Sequence, residues 1–276
     1  MSILEAIIFG IVQGITEFLP ISSTAHIVIT QLILGYNFPG FAFEIYLHFA
    51  SILAVVIYFR KDLFAVITGF FSYFKSKTAE NKVHFWFAIY IVIATFITGA
   101  LGVVLKDVFD ESMKRPLTIS IALTITGIAL IYIERFHRYG KREEKDMTWK
   151  DSVLVGLGQT IAVFPGISRS GATLVTALLA GLSRETAVKY SFLLSVPVIL
   201  GSSVLALGDA TTEMFTQIGT AALIVSFIVT FIFSWIGIVW LIGFLKRSKL
   251  IYFAIYCFVV AILVYFFIPA DTIMDI

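Results

Sequence analysis

The sequence predicts an all-α integral membrane protein with six transmembrane helices, two re-entrant helical hairpins and an inverted-topology repeat. Three observations carry this. Of the 276 residues 59% are hydrophobic and only 14% charged, with a mean hydropathy of +0.97; a soluble domain is nearer half apolar and a quarter charged. Apolar stretches of spanning length alternate with charged loops. A segment near the N-terminus recurs, altered, in the second half of the chain.

The spanning helices come first, because length decides them. Crossing a bilayer takes about 20 mostly apolar residues, with a range of roughly 17–25. Six stretches qualify: 43–59, 85–105, 117–133, 187–208, 218–245 and 250–268. RKD at 60–62 and KSKTAENK at 75–82 bracket a piece, 63–74, that is too short to cross and reads as interfacial or partly inserted. The 134–151 loop carries six Lys/Arg, and KRSK occupies 246–249. The 209–217 loop and the tail after 268 carry none. The positive-inside rule places the basic loops in the cytoplasm. The loops near 35–42, 106–115 and 209–217, and both termini, then face outside. The bilayer is the principal partner, and a net charge of +2 gives no reason to expect nucleic acid. The N-terminus, MSILE, lacks the basic start of a signal peptide. The single cysteine, Cys257, lies in an apolar run and reads as a small packed hydrophobe.

Two stretches remain, 2–34 and 152–182. Each is a pair of short apolar pieces broken by Pro and small polar residues. The first starts and ends outside and the second starts and ends inside, so both are expected to be re-entrant. Non-helical backbone at membrane depth is tolerated only when buried in protein or lining a wet cavity.

A shift of 146 residues lays GIVQGITEFLPISSTAHIVITQLILG (10–35) on GLGQTIAVFPGISRSGATLVTALLAG (156–181), with nine identities in 26 and no gaps. Gln13/Gln159, Phe18/Phe164, Ser22/Ser168, Thr30/Thr176 and Gly35/Gly181 are among them. Three crossings separate the copies, and an odd number inverts the second. The chain therefore reads as one membrane domain, 1–276, of two inverted repeats (about 1–133 and 152–268) joined by the charged cytoplasmic loop 134–151. Inverted repeats whose broken helices meet near mid-membrane are common in secondary transporters.

The hairpin tips hold the chemistry. The first offers Gln13, Glu17, Ser22, Ser23, Thr24 and His26, with Gln13 and Glu17 on one helical face. The second offers Gly166, Ser168, Arg169, Ser170 and Thr173. Ionisable groups at membrane depth are costly and are functional candidates by default. Arg presents a planar fork that matches phosphate oxygens. A Gly-containing turn leading into a helix exposes N–H groups to an anion. A Glu can hold a divalent cation or activate a nucleophile. Ser23 or His26 can attack phosphorus, or His26 can act as acid–base. Structural readings stand beside these: a membrane Ser or Thr often bonds its own i−4 carbonyl, and Glu17 and Arg169 can be a buried pair. Glu44 and His48 read as support rather than catalysts, and His84 and His137 as solvated. The many aromatic residues read as lipid-facing or core, although an apolar groove would also suit a prenyl chain.

QGITEFLPISSTAH resembles the (E/Q)xxxE…P-x-S-S-T-x-H segment of the undecaprenyl-pyrophosphate phosphatase family, the bacitracin-resistance type. FPGISRSGAT resembles that family's P-G-x-S-R-S-x-x-T motif, and FEIYLHFASILAVVIYF and YSFLLSVPVILGSS are similar to further family segments. The resemblance implies a multi-pass enzyme of the bacterial plasma membrane with its site open to the extracytoplasmic side. It would convert undecaprenyl pyrophosphate to undecaprenyl phosphate and inorganic phosphate. That recycles the lipid carrier of peptidoglycan synthesis and confers resistance to bacitracin, which competes by binding the substrate. The resemblance also implies a divalent cation, Mg²⁺ or Ca²⁺, and admits a homodimer. Carried over by motif, catalysis falls to Glu17, Ser23, His26 and Arg169, and substrate binding to Ser22, Thr24, Gly166, Ser168, Ser170 and Thr173. Glu17, with Gln13, would ligate the metal. Position 13 is Gln where the commoner form has Glu, which leaves one carboxylate in this pair. The motifs of the type 2 phosphatidic-acid phosphatases are not met: Val108 and Val175 stand where that family needs Lys and His. The alternative function is a polyprenyl-phosphate flippase using the same repeat.

Overall fold

The computed structural model describes residues 1–36, 42–105, 113, 115–206, 218–247 and 249–268. Eleven α-helices make up this part of the chain: α1 (Ile3–Thr16), α2 (Ser23–Leu34), α3 (Ala42–Tyr58), α4 (Arg60–Ser72), α5 (Ala79–Leu105), α6 (Pro116–Phe136), α7 (Trp149–Ile161), α8 (Arg169–Leu179), α9 (Arg184–Ala206), α10 (Thr220–Arg247) and α11 (Ile251–Phe267). One isolated β-bridge joins Arg142 to Leu182.

Local chemistry starts both hairpins alike. Ser2 and Glu5 form a capping box ahead of α1, with Ser2 N–H donating to Glu5 Oε2 at 2.7 Å and Glu5 N–H to Ser2 Oγ at 3.3 Å. At the positions 146 residues on, the Thr148 N–H donates to Asp151 Oδ2 at 2.7 Å and opens α7. Ser22 and Ser168 then cap the second helix of each hairpin, accepting from Ala25 N–H at 3.2 Å and Gly171 N–H at 3.0 Å. Gly35 and Gly181 end those helices with φ of +71° and +83°, a conformation that costs glycine nothing.

Each of the six predicted stretches carries a helix. Four helices, Ala79–Leu105, Pro116–Phe136, Arg184–Val204 and Thr220–Leu245, are long and apolar enough to cross a bilayer alone. The other two differ from the expectation. α3 reaches spanning length only together with α4, to which it is joined by a 75° bend, and α11 has 17 residues. The bend falls at Phe59, before Arg60-Lys61-Asp62. The piece at 63–74 thus becomes most of α4, with Phe64, Ile67 and Phe71 exposed. The loops placed outside at 106–115 and 209–217, and the tail after 268, lie wholly or almost wholly outside the described residues, as does most of 35–42. Helices of this length and hydropathy make the chain an all-α, multi-pass membrane protein.

Small residues let the helices close. α1 lies along α10, α7 along α5, and α6 along α11. A Cβ on Gly14 would stand 2.7 Å from the backbone of Thr230 and Ser234, and one on Gly10 would stand 2.9 Å from Ser226 O. One on Gly156 would stand 3.1 Å from Ala94 on α5. Close backbone approach of this kind is how membrane helices gain contact where lipid offers no hydrophobic drive. Ser120 on α6 donates to Ala261 O of α11 at 2.8 Å. The Phe18, Phe192 and Phe59 rings pack in a row, tilted by 40° and 34°, with centroids 5.3 and 5.2 Å apart.

Candidate active site

α1 stops at Thr16 because Pro20 follows closely and cannot continue a helix. Its last turn leaves Glu17 almost fully buried, 4% exposed. A buried carboxylate must be compensated, and this one is compensated from four directions. Gln13 Nε2 donates to Oε2 at 2.8 Å, Ser23 Oγ donates to it at 2.7 Å, and His48 Nε2 lies 3.0 Å away. The Arg169 guanidinium pairs with Oε1. Ser23 is the first residue of α2 and Arg169 the first of α8. They are the same position in the two copies of the repeat motif. Two helix N-termini therefore present a donor each to one carboxylate, and their dipoles put positive potential there.

The hairpins touch tip to tip. Ser170 Oγ donates to Leu19 O at 2.8 Å, Ser168 Oγ lies 3.1 Å from Ser170 Oγ, and a Cβ on Gly171 would sit 3.3 Å from Pro20 Cβ. Ser22 has φ +69°, the only positive value outside glycine among the described residues. Strain of this sort persists where the surroundings over-determine it. Gly166, at φ +94°, backs onto Ile119 and Ala122 of α6, where a Cβ would meet Ala122 at 2.8 Å. The Thr126 hydroxyl on the same helix accepts from Ser168 N–H at 3.3 Å.

The remaining predicted residues are placed less centrally. His26 Nδ1 is 2.7 Å from Ser22 O, and Nε2 is 2.8 Å from the Tyr256 hydroxyl of α11. A carbonyl only accepts, so Nδ1 carries the proton, and the Nε2 lone pair of the neutral ring accepts from Tyr256. No hydrogen bond joins His26 directly to Glu17. Thr173 turns its hydroxyl to Arg169 O at 3.0 Å and pairs with Ser191 of α9. Thr24 is half-buried at the second position of α2.

His48, Tyr256 and Ser191 are the neighbours the sequence did not single out as working groups. The i, i+4 spacing of Glu44 and His48 signals a shared face, but not that this face meets Glu17. Tyr256 lies in an aromatic-rich apolar run, and nothing in that run marks it.

The donor set also bears on a metal. Because a carboxylate can only accept, the Gln13 amide nitrogen must face Glu17. Gln13 Oε1 is then left buried without a partner. Among the described residues no group of three or more His, Cys, Asp or Glu side chains surrounds a cation position. One carboxylate and one orphan amide oxygen do not make an all-protein cage. They fit a hard cation that completes its shell with water and substrate phosphate oxygens.

Comparison with known proteins identifies the family. The family profile described as bacitracin resistance protein BacA matches residues 6–263. The chain is 66% identical over 277 residues to undecaprenyl-diphosphatase 2 of Halalkalibacterium halodurans, covering the whole of both. It is 56% identical to undecaprenyl-diphosphatase 1 of Shouchella clausii, over 97% of each chain. It is 40% identical to undecaprenyl-diphosphatase 3 of Bacillus anthracis, over 96% of this chain and 98% of that one. A profile match over nearly the full length, and relatives this similar end to end, show that the chain belongs to the BacA bacitracin resistance family.

Proposed function

We propose that the protein is an undecaprenyl-diphosphatase: it hydrolyses undecaprenyl pyrophosphate to undecaprenyl phosphate and inorganic phosphate, recycling the lipid carrier for peptidoglycan synthesis. Bacitracin binds that substrate, so turnover confers resistance. The observation that carries the reading is the convergence of the α2 and α8 N-termini, with Ser23 and Arg169, on buried Glu17. An anion is the ligand such a place favours. The names of the relatives supply the substrate.

Arg169 pairs with Glu17 at rest. When the pyrophosphate enters, its oxygens replace the carboxylate as the partner of the guanidinium fork, and Glu17 is released to act as base. Ser23 Oγ, already donating to Glu17 at 2.7 Å, attacks the terminal phosphorus. The Oγ–P bond forms, the bond from that phosphorus to the bridging oxygen breaks, and undecaprenyl phosphate leaves. The serine proton passes to Glu17. Water then cleaves the phosphoserine, releasing inorganic phosphate and restoring Ser23. Ser22, Thr24, Gly166, Ser168, Ser170 and Thr173 shape the phosphate cradle. His26 is the rival nucleophile or the acid–base group, and its Nε2 lone pair leaves the Tyr256 hydroxyl when it acts. Glu17 and Gln13 Oε1 would hold a divalent cation, Mg²⁺ or Ca²⁺, which neutralises phosphate charge when bound. The site sits in a bacterial plasma membrane and opens to the extracytoplasmic side, within six crossings and two re-entrant hairpins. The shared places of Ser22/Ser168, Gly35/Gly181 and the two capping boxes support the inverted repeat.

A second reading, transport of the lipid phosphate, has one observation in its favour. A small cavity of about 20 Å³ lined by Arg169, Thr173 and Ser191 also touches Val188 and Leu245. Those two residues also line a large cavity walled by the basic 134–151 loop. The test is phosphate release from undecaprenyl pyrophosphate by purified protein in detergent, where no sidedness exists. Release that is lost with EDTA and restored by Mg²⁺ or Ca²⁺ is expected. Substrate binding without release would favour transport.

A further inference from the structure

An apolar groove of about 610 Å³ runs beside the hairpin tip, between α1, α10 and α11. Thr16, Leu19, Ile236, Trp240, Tyr252 and Tyr256 are among its walls, and no charged side chain lines it. Thr16 adds no polarity, since its hydroxyl is turned back to Val12 O at 2.7 Å. Ile236, Trp240 and Tyr252 are 48–60% exposed on the outer surface of the bundle, so the groove opens sideways toward lipid. Its inner end adjoins the polar site. Thr16 precedes Glu17, and Tyr256 donates to His26 Nε2 at 2.8 Å with the two rings stacked at 10°. The next residue, Cys257, contacts Pro20 O at 3.8 Å, which holds α11 against the tip.

We infer that this groove takes the head-proximal isoprene units of the polyprenyl chain and that Tyr256, at its inner end, is a positioning residue for His26. The inference rests on the hydrolase reading. A groove without charges excludes the pyrophosphate and leaves it at the Glu17–Arg169 end, so a molecule charged at one end and apolar along the rest enters in one orientation. The aromatic walls suit a chain of methyl-branched alkenes. The Tyr256 ring forms part of the tail's bed while its hydroxyl orients the imidazole. One side chain thereby links tail seating to the reacting end.

The test uses the full-length protein in detergent with isopentenyl, farnesyl and undecaprenyl pyrophosphates. Isopentenyl pyrophosphate is too short to fill the groove. In the unmodified protein kcat/KM should rise about tenfold or more from isopentenyl to farnesyl, the scale expected when apolar carbons leave water. Ile236→Trp narrows the groove and Trp240→Ala removes a wall. Both positions are exposed, which limits the cost to folding. Each should raise KM for the two longer substrates about tenfold and leave isopentenyl pyrophosphate within about twofold. Tyr256→Phe keeps the wall and removes the hydrogen bond. It should lower kcat about tenfold on all three substrates with KM unchanged. If both groove variants keep the native dependence on chain length, an ordinary lipid acyl chain occupies the groove and the tail assignment is overturned. A Tyr256→Phe protein with native kcat removes the positioning role. If the unmodified protein releases phosphate from none of the three, the hydrolase reading itself fails.

Discussion

Glu17 is the residue on which the site turns, and its surroundings predict how variants divide between stability and activity. A carboxylate this buried is tolerated because Arg169, His48, Gln13 and Ser23 face it. Arg169→Ala takes the guanidinium from the buried carboxylate and leaves it only His48, Gln13 and Ser23, and breaking a buried pair on one side costs about 3–5 kcal/mol. The single variant should therefore melt at lower temperature in detergent as well as losing phosphate release. Adding Glu17→Gln removes the orphaned charge, so the double variant should regain much of the stability and none of the activity. If activity returned with stability, the pair would be structural only. Glu17→Gln alone keeps the shape and should lower kcat by about 10³-fold through loss of the base. His48→Asn should lower activity by about tenfold; native turnover there would return His48 to the structural role its spacing first suggested.

At the scale of the helix, the close approaches predict where substitution is expensive. A methyl at Gly14 would meet the α10 backbone at 2.7 Å, whereas one at Gly99 on α5 would meet nothing within 4 Å. Gly14→Ala should destabilise by about 1–3 kcal/mol through overpacking. Gly99→Ala should leave the melting temperature unchanged or slightly raised, since alanine is the better helix former. Equal effects at the two sites would mean that α1 and α10 are not in backbone contact. Much of the helical layout was legible in the sequence, because length and hydropathy decide which stretches can cross a membrane. The hairpin tips were legible too: the repeat register that pairs Ser23 with Arg169 placed two donors at matching helix starts. The 75° elbow after α3 was only half legible. The charges at 60–62 announced a break, but its angle depends on packing against α5 and α9. Tyr256 was illegible, since its bond to His26 spans 230 residues and nothing local signals it.

At the scale of the whole molecule, two polar clusters stand out among the described residues, the hairpin tips and the basic 134–151 loop, and Arg142 closes that loop onto the second hairpin. Arg142 reaches Asp151 with both terminal nitrogens, at 2.9 and 2.6 Å, and also donates to Ala180 O at 2.8 Å and Asp146 O at 2.6 Å. It therefore ties the loop, the start of α7 and the end of α8 together, closing the second hairpin at its base. Burial raises the Asp151 carboxyl, but the Arg142 guanidinium and the Thr148 donors outweigh it and hold the group below its ordinary range. A carboxylate held low contributes stability that is intact above its unfolded pKa and is lost as pH falls through the folded value. The native protein should accordingly show no change from this pair between neutral pH and about pH 5. Arg142→Ala removes the fork and leaves a carboxylate that is mostly buried, so melting should fall by the equivalent of about 3 kcal/mol at neutral pH. Asp151 would then ionise less readily than in the native protein, and the deficit of the variant should shrink as the pH is lowered and the carboxyl takes up its proton. Phosphate release per folded molecule, measured below the melting range, should stay native, because Arg142 lies at the base of the hairpin and the reacting groups at its tip. A deficit that does not change with pH would show that Arg142 acts through its carbonyl contacts rather than through Asp151. Lost turnover in a fully folded variant would show that the base of the hairpin sets the geometry of the tip.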